Sequence, residues 1–247
     1  MIIREISART VLSKSQVHDS TINPYVGCEH GCAYCYARFI KRFTGHREAW
    51  GEFLDVKVNA PTLLEREASA RRRGRVWISG VCDPYQPAEK VYGLTRRCLK
   101  ILTEHRWPIT VQTKSPTILR DLDLLEKAPG LEVGFTVTTA DERVRMIFEP
   151  KAPPIDSRIR ALEELHLSGI RSFAMIAPLL PNAFDLIPML AGIVDYVLID
   201  KMNYHYSDML YREHGFEYAL KDDYFKKEGA RLAEALLKKE VPCQMLF

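Results

Sequence analysis

The sequence predicts an α/β protein built on a parallel sheet with helices outside it. Three observations carry that reading. Short apolar or β-branched runs alternate with amphipathic helical runs along most of the 247 residues. No internal repeat, low-complexity tract or Gly/Ser linker divides the chain, and a length of roughly 200–250 residues suits one barrel-sized core. The clustered reactive side chains fall in segments that follow the strand-like runs, where α/β folds place their working residues.

Taken in order, residues 76–81 (VWISGV) form a short apolar run, with Arg75 before it and the turn signal Asp83-Pro84 after it. Leu94, Cys98, Ile101 and Leu102 fall on one face of a helix. Residues 109–113 (ITVQT) read as strand, and Ile118, Leu119, Leu122 and Leu125 as the next helical face, stopped by Pro129-Gly130. Residues 133–139 (VGFTVTT) are β-branched and aromatic, so strand is expected again. A helix over about 156–168 takes Asp156 or Ser157 as N-cap, Ile159, Leu162 and Leu165 as its stripe, and Gly169 as its C′ glycine. Residues 173–177 and 196–199 supply two more buried strands. A last amphipathic helix over about 223–239 carries Phe225, Leu232 and Leu236 on its apolar side. The pattern predicts a single domain over residues 1–247, with a C-terminal helical segment from about 205. Periodicity alone leaves barrel closure open.

At 47% hydrophobic and 27% charged residues the chain is too apolar for disorder. A formal net charge of +3 with interspersed signs excludes a scaffold that binds nucleic acid by bulk charge. The N-terminal stretch carries Arg4 and Glu5 where a signal peptide needs an apolar core. The best apolar window, residues 172–184, contains two prolines and stops at Asp185. A reduced, cytoplasmic protein with no membrane partner is the expectation, and its six cysteines are then not three disulfides.

Three of those cysteines form Cys28-x3-Cys32-x2-Cys35, flanked by Gly27 and Gly31. Soft thiolates this close select an iron–sulfur cluster or zinc. Zinc wants a fourth ligand, for which His30 is nearest, yet it lies inside the tripod and no second CxxC follows. A four-iron cluster on three cysteines leaves one iron open for reaction. Cys98 sits on an apolar helix stripe, and Cys243 stands alone.

With Tyr34 just before the last cysteine, this loop (residues 27–36) resembles the radical S-adenosylmethionine (SAM) signature. GCEHGCAYCYARF, with tyrosines on both sides of Cys35, is similar to the spore photoproduct lyase branch of that superfamily. VKVNAPTLL (56–64), SGVCDPYQPAE (79–89), TKSPTILRDLDLL (113–125) and FEPKAPPIDSRIRALEEL (148–165) look like that group's later blocks. The resemblance implies an incomplete (β/α)6 TIM-type barrel and one [4Fe–4S] cluster on Cys28, Cys32 and Cys35. It also implies reductive cleavage of SAM to a 5′-deoxyadenosyl radical. SAM contacts are expected from Tyr34, Asp83 and Lys114, with Ser79 and Thr138 as weaker polar candidates. Tyr36 matches a tyrosine implicated in returning a hydrogen atom. Lyases return hydrogen from a cysteine near Cys82, although here Gly80 takes that register and Cys82 adjoins Asp83. An external one-electron donor of the flavodoxin or ferredoxin type and a damaged-DNA substrate are implied partners. Radical modification of a protein, cofactor or small molecule is the alternative reading. A non-catalytic zinc- or cluster-binding protein is a second one. Arg71, Arg72, Arg73 and Arg75, with Lys41, Arg42 and Arg47, are the candidate phosphate contacts, and a solvated helix end is their default role.

Overall fold

The computed structural model describes residues 1–247. The chain divides into two compact units, residues 1–31 with 37–133 and residues 32–36 with 134–247. No helix is long and apolar enough to cross a membrane.

The first unit carries strands β1 (Ile2–Ile6), β2 (Leu12–Lys14), β3 (Ser20–Ile22), β4 (Tyr25–Val26) and β5 (Phe53–Lys57), then helix α1 (Ala60–Ala70). It continues with β6 (Val76–Ile78), α2 (Glu89–Tyr92), α3 (Leu94–Glu104), β7 (Ile109–Thr113) and α4 (Leu122–Leu125). Strands β2, β3, β6 and β7 are neighbours in that order; β2 is antiparallel to β3, while β3, β6 and β7 are parallel. A separate sheet runs β1-β5-β4, with β1 parallel and β4 antiparallel to β5.

Ile22, Val76, Ile78, Ile109 and Val111 are fully buried, and so are Leu94, Cys98, Leu99 and Leu102 on one face of α3. Each such aliphatic side chain contributes about 1.5–3 kcal/mol through burial. Cys98 is therefore a core residue, as its helical spacing predicted. Asn59 precedes α1 yet caps nothing. Its amide instead exchanges two 2.9 Å hydrogen bonds with the backbone of Ala8, tying the N-terminal segment to the helix start. One turn from the end of α1, Glu67 accepts from the N–H of Leu12 at 2.8 Å and of Val11 at 3.3 Å, fixing β2.

Strand β8 (Glu132–Thr136) leads into the second unit, followed by α5 (Glu142–Phe148), α6 (Ile155–Leu167), β9 (Ser172–Ile176), α7 (Ile187–Leu190) and β10 (Tyr196–Ile199). The unit ends with α8 (Asp208–Glu213), α9 (Asp222–Leu237) and β11 (Cys243–Met245). Here β8, β9, β10 and β11 are neighbours, with β9, β10 and β11 parallel. Gly134 makes the close packing possible: a Cβ there would lie 2.1 Å from the ring of Phe173, which stacks on Tyr196.

The strands and helices expected from the sequence are present, with shifted ends. The helix predicted from 156 begins at Ile155 behind Pro154, with Asp156 inside its first turn rather than at the cap. Gly169 takes φ +73° just past its end, as expected. The run from Ile118 is split into a 3-10 turn, Pro116–Asp121, and the short α4. The C-terminal segment carries α8 and α9 but finishes as strand β11, paired with β10 through Val197 and Cys243.

Gly134→Ala is expected to destabilise the protein by about 1–3 kcal/mol through overpacking, read by urea unfolding. Phe173→Leu should recover part of that loss, and an additive double variant would refute the contact. Burial pushes the Glu67 carboxyl up, but the N–H of Leu12, Thr10 and the N–H of Val11 outweigh it and hold it below the ordinary value. A carboxyl depressed in the folded state adds stability above its unfolded pKa, and that stability is lost as pH falls through the folded one. Glu67→Gln is accordingly expected to flatten the acid limb of a urea-midpoint profile between pH 7 and 3; an unchanged slope would disprove this.

Candidate functional site

The cysteine loop leaves β4 through Gly27 at φ +94°, where a Cβ would stand 2.5 Å from the carbonyl oxygen of Phe53. Only glycine fits. The Gly31 N–H then bonds back to Cys28 O at 3.2 Å, and Gly31 itself sits at φ +60° against Gly51. A Cβ on Gly51 would come within 2.8 Å of Gly31 Cα. The same turn recurs one step later, from Cys35 N–H to Cys32 O at 3.2 Å. Cys28 and Cys32 are buried and Cys35 is half-buried; all six cysteines are free of disulfides. No three His, Cys, Asp or Glu side chains converge as ligands on a single metal ion.

In the first unit this loop is anchored on the segment after β6. The Asp83 N–H points at Cys28 Sγ, 3.4 Å away, a donor suited to a thiolate ligand. The Asp83 carboxylate accepts from Tyr85 N–H (2.9 Å), Thr113 Oγ1 (2.6 Å) and Lys114 N–H (2.8 Å), and faces His30 Nδ1 at 3.4 Å. Burial pushes this carboxyl up, but His30, Thr113 and the Lys114 N–H outweigh it and hold it down at about 2. Gln86 braces the loop from the same segment, accepting from Glu29 N–H at 2.9 Å and donating to Gly27 O at 3.4 Å. Glu29 in turn accepts from Ala88 N–H.

Beside this hub, Ser79 is buried at φ +65° and its N–H bonds to Ile22 O at 2.7 Å. The Cys82 thiol donates to Tyr25 O at 3.5 Å. Burial pushes it up to about 12, against the opposing influence of the Ser79 hydroxyl and Lys57. Lys57 is lowered, chiefly by burial, with Cys82 and Asp55 working the other way.

In the second unit Cys32, Ala33 and Tyr34 enter a buried cluster with Val144, Phe148, Leu180 and Tyr211, and Cys35 packs against it. The Ala33 N–H bonds to Phe148 O at 2.8 Å. The Tyr34 hydroxyl donates to the buried Glu149 carboxylate, which also accepts from Thr138 Oγ1 at 3.0 Å and pairs with Arg158 at 2.6 Å. Burial, and then the Glu149 charge, push the Tyr34 phenol well above its ordinary range. Tyr36 is exposed and stacks on Tyr204, which stacks in turn on Tyr206.

Of the residues singled out from the sequence, Asp83 and Lys114 are thus joined through a backbone hydrogen bond, and Ser79 lies beside Cys82. Tyr34 and Thr138 meet on Glu149, and Tyr36 belongs to a surface stack. Sequence reasoning missed Gln86, Glu149 and Arg158, and weighed His30 as a zinc ligand although it faces Asp83. The blocks quoted above contain Gln86, Glu149 and Arg158, but nothing local separates them from ordinary surface polar residues.

The sequence model of the Radical SAM superfamily matches residues 22–185. An uncharacterized protein of Methanocaldococcus jannaschii is 32% identical over 213 residues, covering 84% of this chain and 77% of its own. The Radical SAM Nalpha-GlyT isomerase of Pseudomonas phage M6 is 27% identical over 161 residues, covering 64% of this chain but only 33% of that protein. Among solved structures, spore photoproduct lyase complexed with dinucleoside spore photoproduct superposes with TM-score 0.73 at 13% identity, over 99% of this chain and 82% of that one. The fold is accordingly the incomplete (β/α)6 TIM-type barrel.

Tyr34→Phe removes a hydrogen bond to a buried carboxylate and is expected to cost about 1.5–3 kcal/mol in urea unfolding of the cluster-free protein. Unchanged stability would mean that the hydroxyl is not held by Glu149.

Proposed function

Because the chain belongs to the radical SAM superfamily, we propose that Cys28, Cys32 and Cys35 hold one [4Fe–4S] cluster and that the protein is an enzyme that cleaves SAM reductively. The observation that carries this reading is the donor set. Three cysteines lie within one short glycine-shaped loop, none of them in a disulfide, and a backbone N–H is already aimed at the sulfur of the first. When bound, the cluster and SAM supply an electron and a 5′-deoxyadenosyl radical that takes hydrogen from substrate.

The chain's own residues hold, orient and shield. Asp83, its oxygens taken by three donors and faced by His30, orients the turn that carries Lys114, whose ammonium is the counter-charge for the carboxylate of SAM. Ser79 and Thr138 are the polar contacts assigned to the cofactor, and the ring of Tyr34 is assigned to its adenine. Tyr36 and Cys82 are the candidates for returning hydrogen, and burial keeps the Cys82 thiol protonated at neutral pH. A one-electron donor of the flavodoxin or ferredoxin class is required. Six cysteines that form no disulfide suit a reducing compartment, the cytoplasm.

The fold shared with spore photoproduct lyase makes a thymine-dimer lesion the first substrate to offer. A second reading, radical modification of a peptide, cofactor or small molecule, is favoured by one observation. The Cys82 S–H is directed at the carbonyl of Tyr25, in a register that differs from the lyase pattern.

Anaerobic reconstitution with iron and sulfide, then SAM and dithionite, tests the core reading. Matched iron and sulfide and the appearance of 5′-deoxyadenosine are expected, both falling to background in Cys28→Ala, Cys32→Ala and Cys35→Ala. Zinc as the sole bound metal, with no cluster obtainable, would overturn it. Lesion-containing and lesion-free oligonucleotides then separate the two substrate readings by which one raises the rate.

A further inference from the structure

The Cys32–Tyr34 stretch stands on a fully buried ion pair. Glu149, just past the end of α5, and Arg158, on α6, are both inaccessible to solvent and lie 2.6 Å apart. Desolvation cancels much of the attraction in such a pair, so that hydrophobic residues of equal volume often serve stability as well or better. What distinguishes this pair is where its other partners lie. Glu149 accepts from the Tyr34 hydroxyl and from Thr138 Oγ1. Arg158 donates Nε to Pro153 O at 2.9 Å and Nη1 to Thr136 O at 3.1 Å, so the end of β8 orients its guanidinium. Directly before Glu149, Phe148 O accepts the Ala33 N–H. Both residues that follow Cys32 are therefore tied to the same two-residue step, Phe148-Glu149. Burial works against the charge on the Arg158 guanidinium, and Glu149 first, then Tyr34 and Cys32, outweigh it and hold the group above its ordinary value.

We propose that the Glu149–Arg158 pair is the electrostatic mount of Cys32, holding the Ala33–Tyr34 stretch in place and setting, through its two opposed charges, the reduction potential of a cluster bound there. The proposal rests on the reading that the loop holds a [4Fe–4S] cluster. A cation near a ligating sulfur favours the reduced, more negative cluster and an anion opposes it, the more so in a site shielded from water. Each charge therefore offsets the other in the native protein, and removing one unmasks its partner. Neither residue touches the reacting atoms; both are positioning residues.

The test is a redox titration, followed by electron paramagnetic resonance, of the reconstituted full chain without SAM. Glu149→Gln keeps the volume and an acceptor for Tyr34 but leaves the guanidinium uncompensated, so the midpoint potential is expected to shift upward. Arg158→Gln is expected to shift it the other way. Should either variant fail to fold, the other still reads the sign. Tyr34→Phe is the control for loop geometry, since both charges stay, and the potential should remain at the wild-type value. Shifts of the same sign, no shift in either charge variant, or a shift in Tyr34→Phe as large as that in Glu149→Gln would each overturn the proposal. Failure of the wild-type chain to assemble a cluster would instead refute the functional reading above. A normal wild-type cluster with an unmoved potential in the variants refutes only the mount.

Discussion

A carboxylate taken out of water needs nearly as many hydrogen-bond donors as water supplied, and that requirement at Asp83 organises the first unit. Its donors come from the start of its own turn (Tyr85 N–H), from the end of β7 (Thr113 and the Lys114 N–H) and from the cysteine loop (His30). The three segments cannot separate without stranding a buried charge. Because the Asp83 N–H also points at Cys28 Sγ, the residue that ties the strand ends together also sets the first ligand.

The second unit answers the same requirement differently. Glu149 is neutralised by Arg158 and then hydrogen-bonded by Tyr34 and Thr138, so its charge is spent on the other half of the same loop. Cys28 thus belongs to one buried acid's surroundings, and Cys32 with Cys35 to another's. Each unit fixes its part of the loop with an ionised group, joined in the second unit by the apolar cluster around Phe148 and Tyr211. Apolar packing tolerates sliding; a donor count does not.

Backbone constraints act alongside these charges. Gly27 and Gly51 stand where a Cβ would strike backbone, so the path of the loop is set by close approach before any ligand is considered. Asn59 stands at the start of α1 without capping it and is diverted to the N-terminal segment, another case of a tertiary partner displacing a local one.

The sequence by itself determined the α/β alternation, the core faces of α3, α6 and α9, and the three-cysteine loop with its glycines. All are local patterns, in which spacing within a few residues carries the information. The β1-β5-β4 sheet was not legible, because β1 is largely exposed and β4 has two residues, so neither shows a burial period. Strand β11 was hidden for the same reason: three residues, none fully buried, that become a strand only by pairing with β10. The anchors of the site were decided by tertiary structure alone. Tyr34 meets Glu149 across 115 residues of sequence, and His30 meets Asp83 from a different loop. A buried charge finds its partner through the fold, and that pairing leaves no periodic trace in the chain.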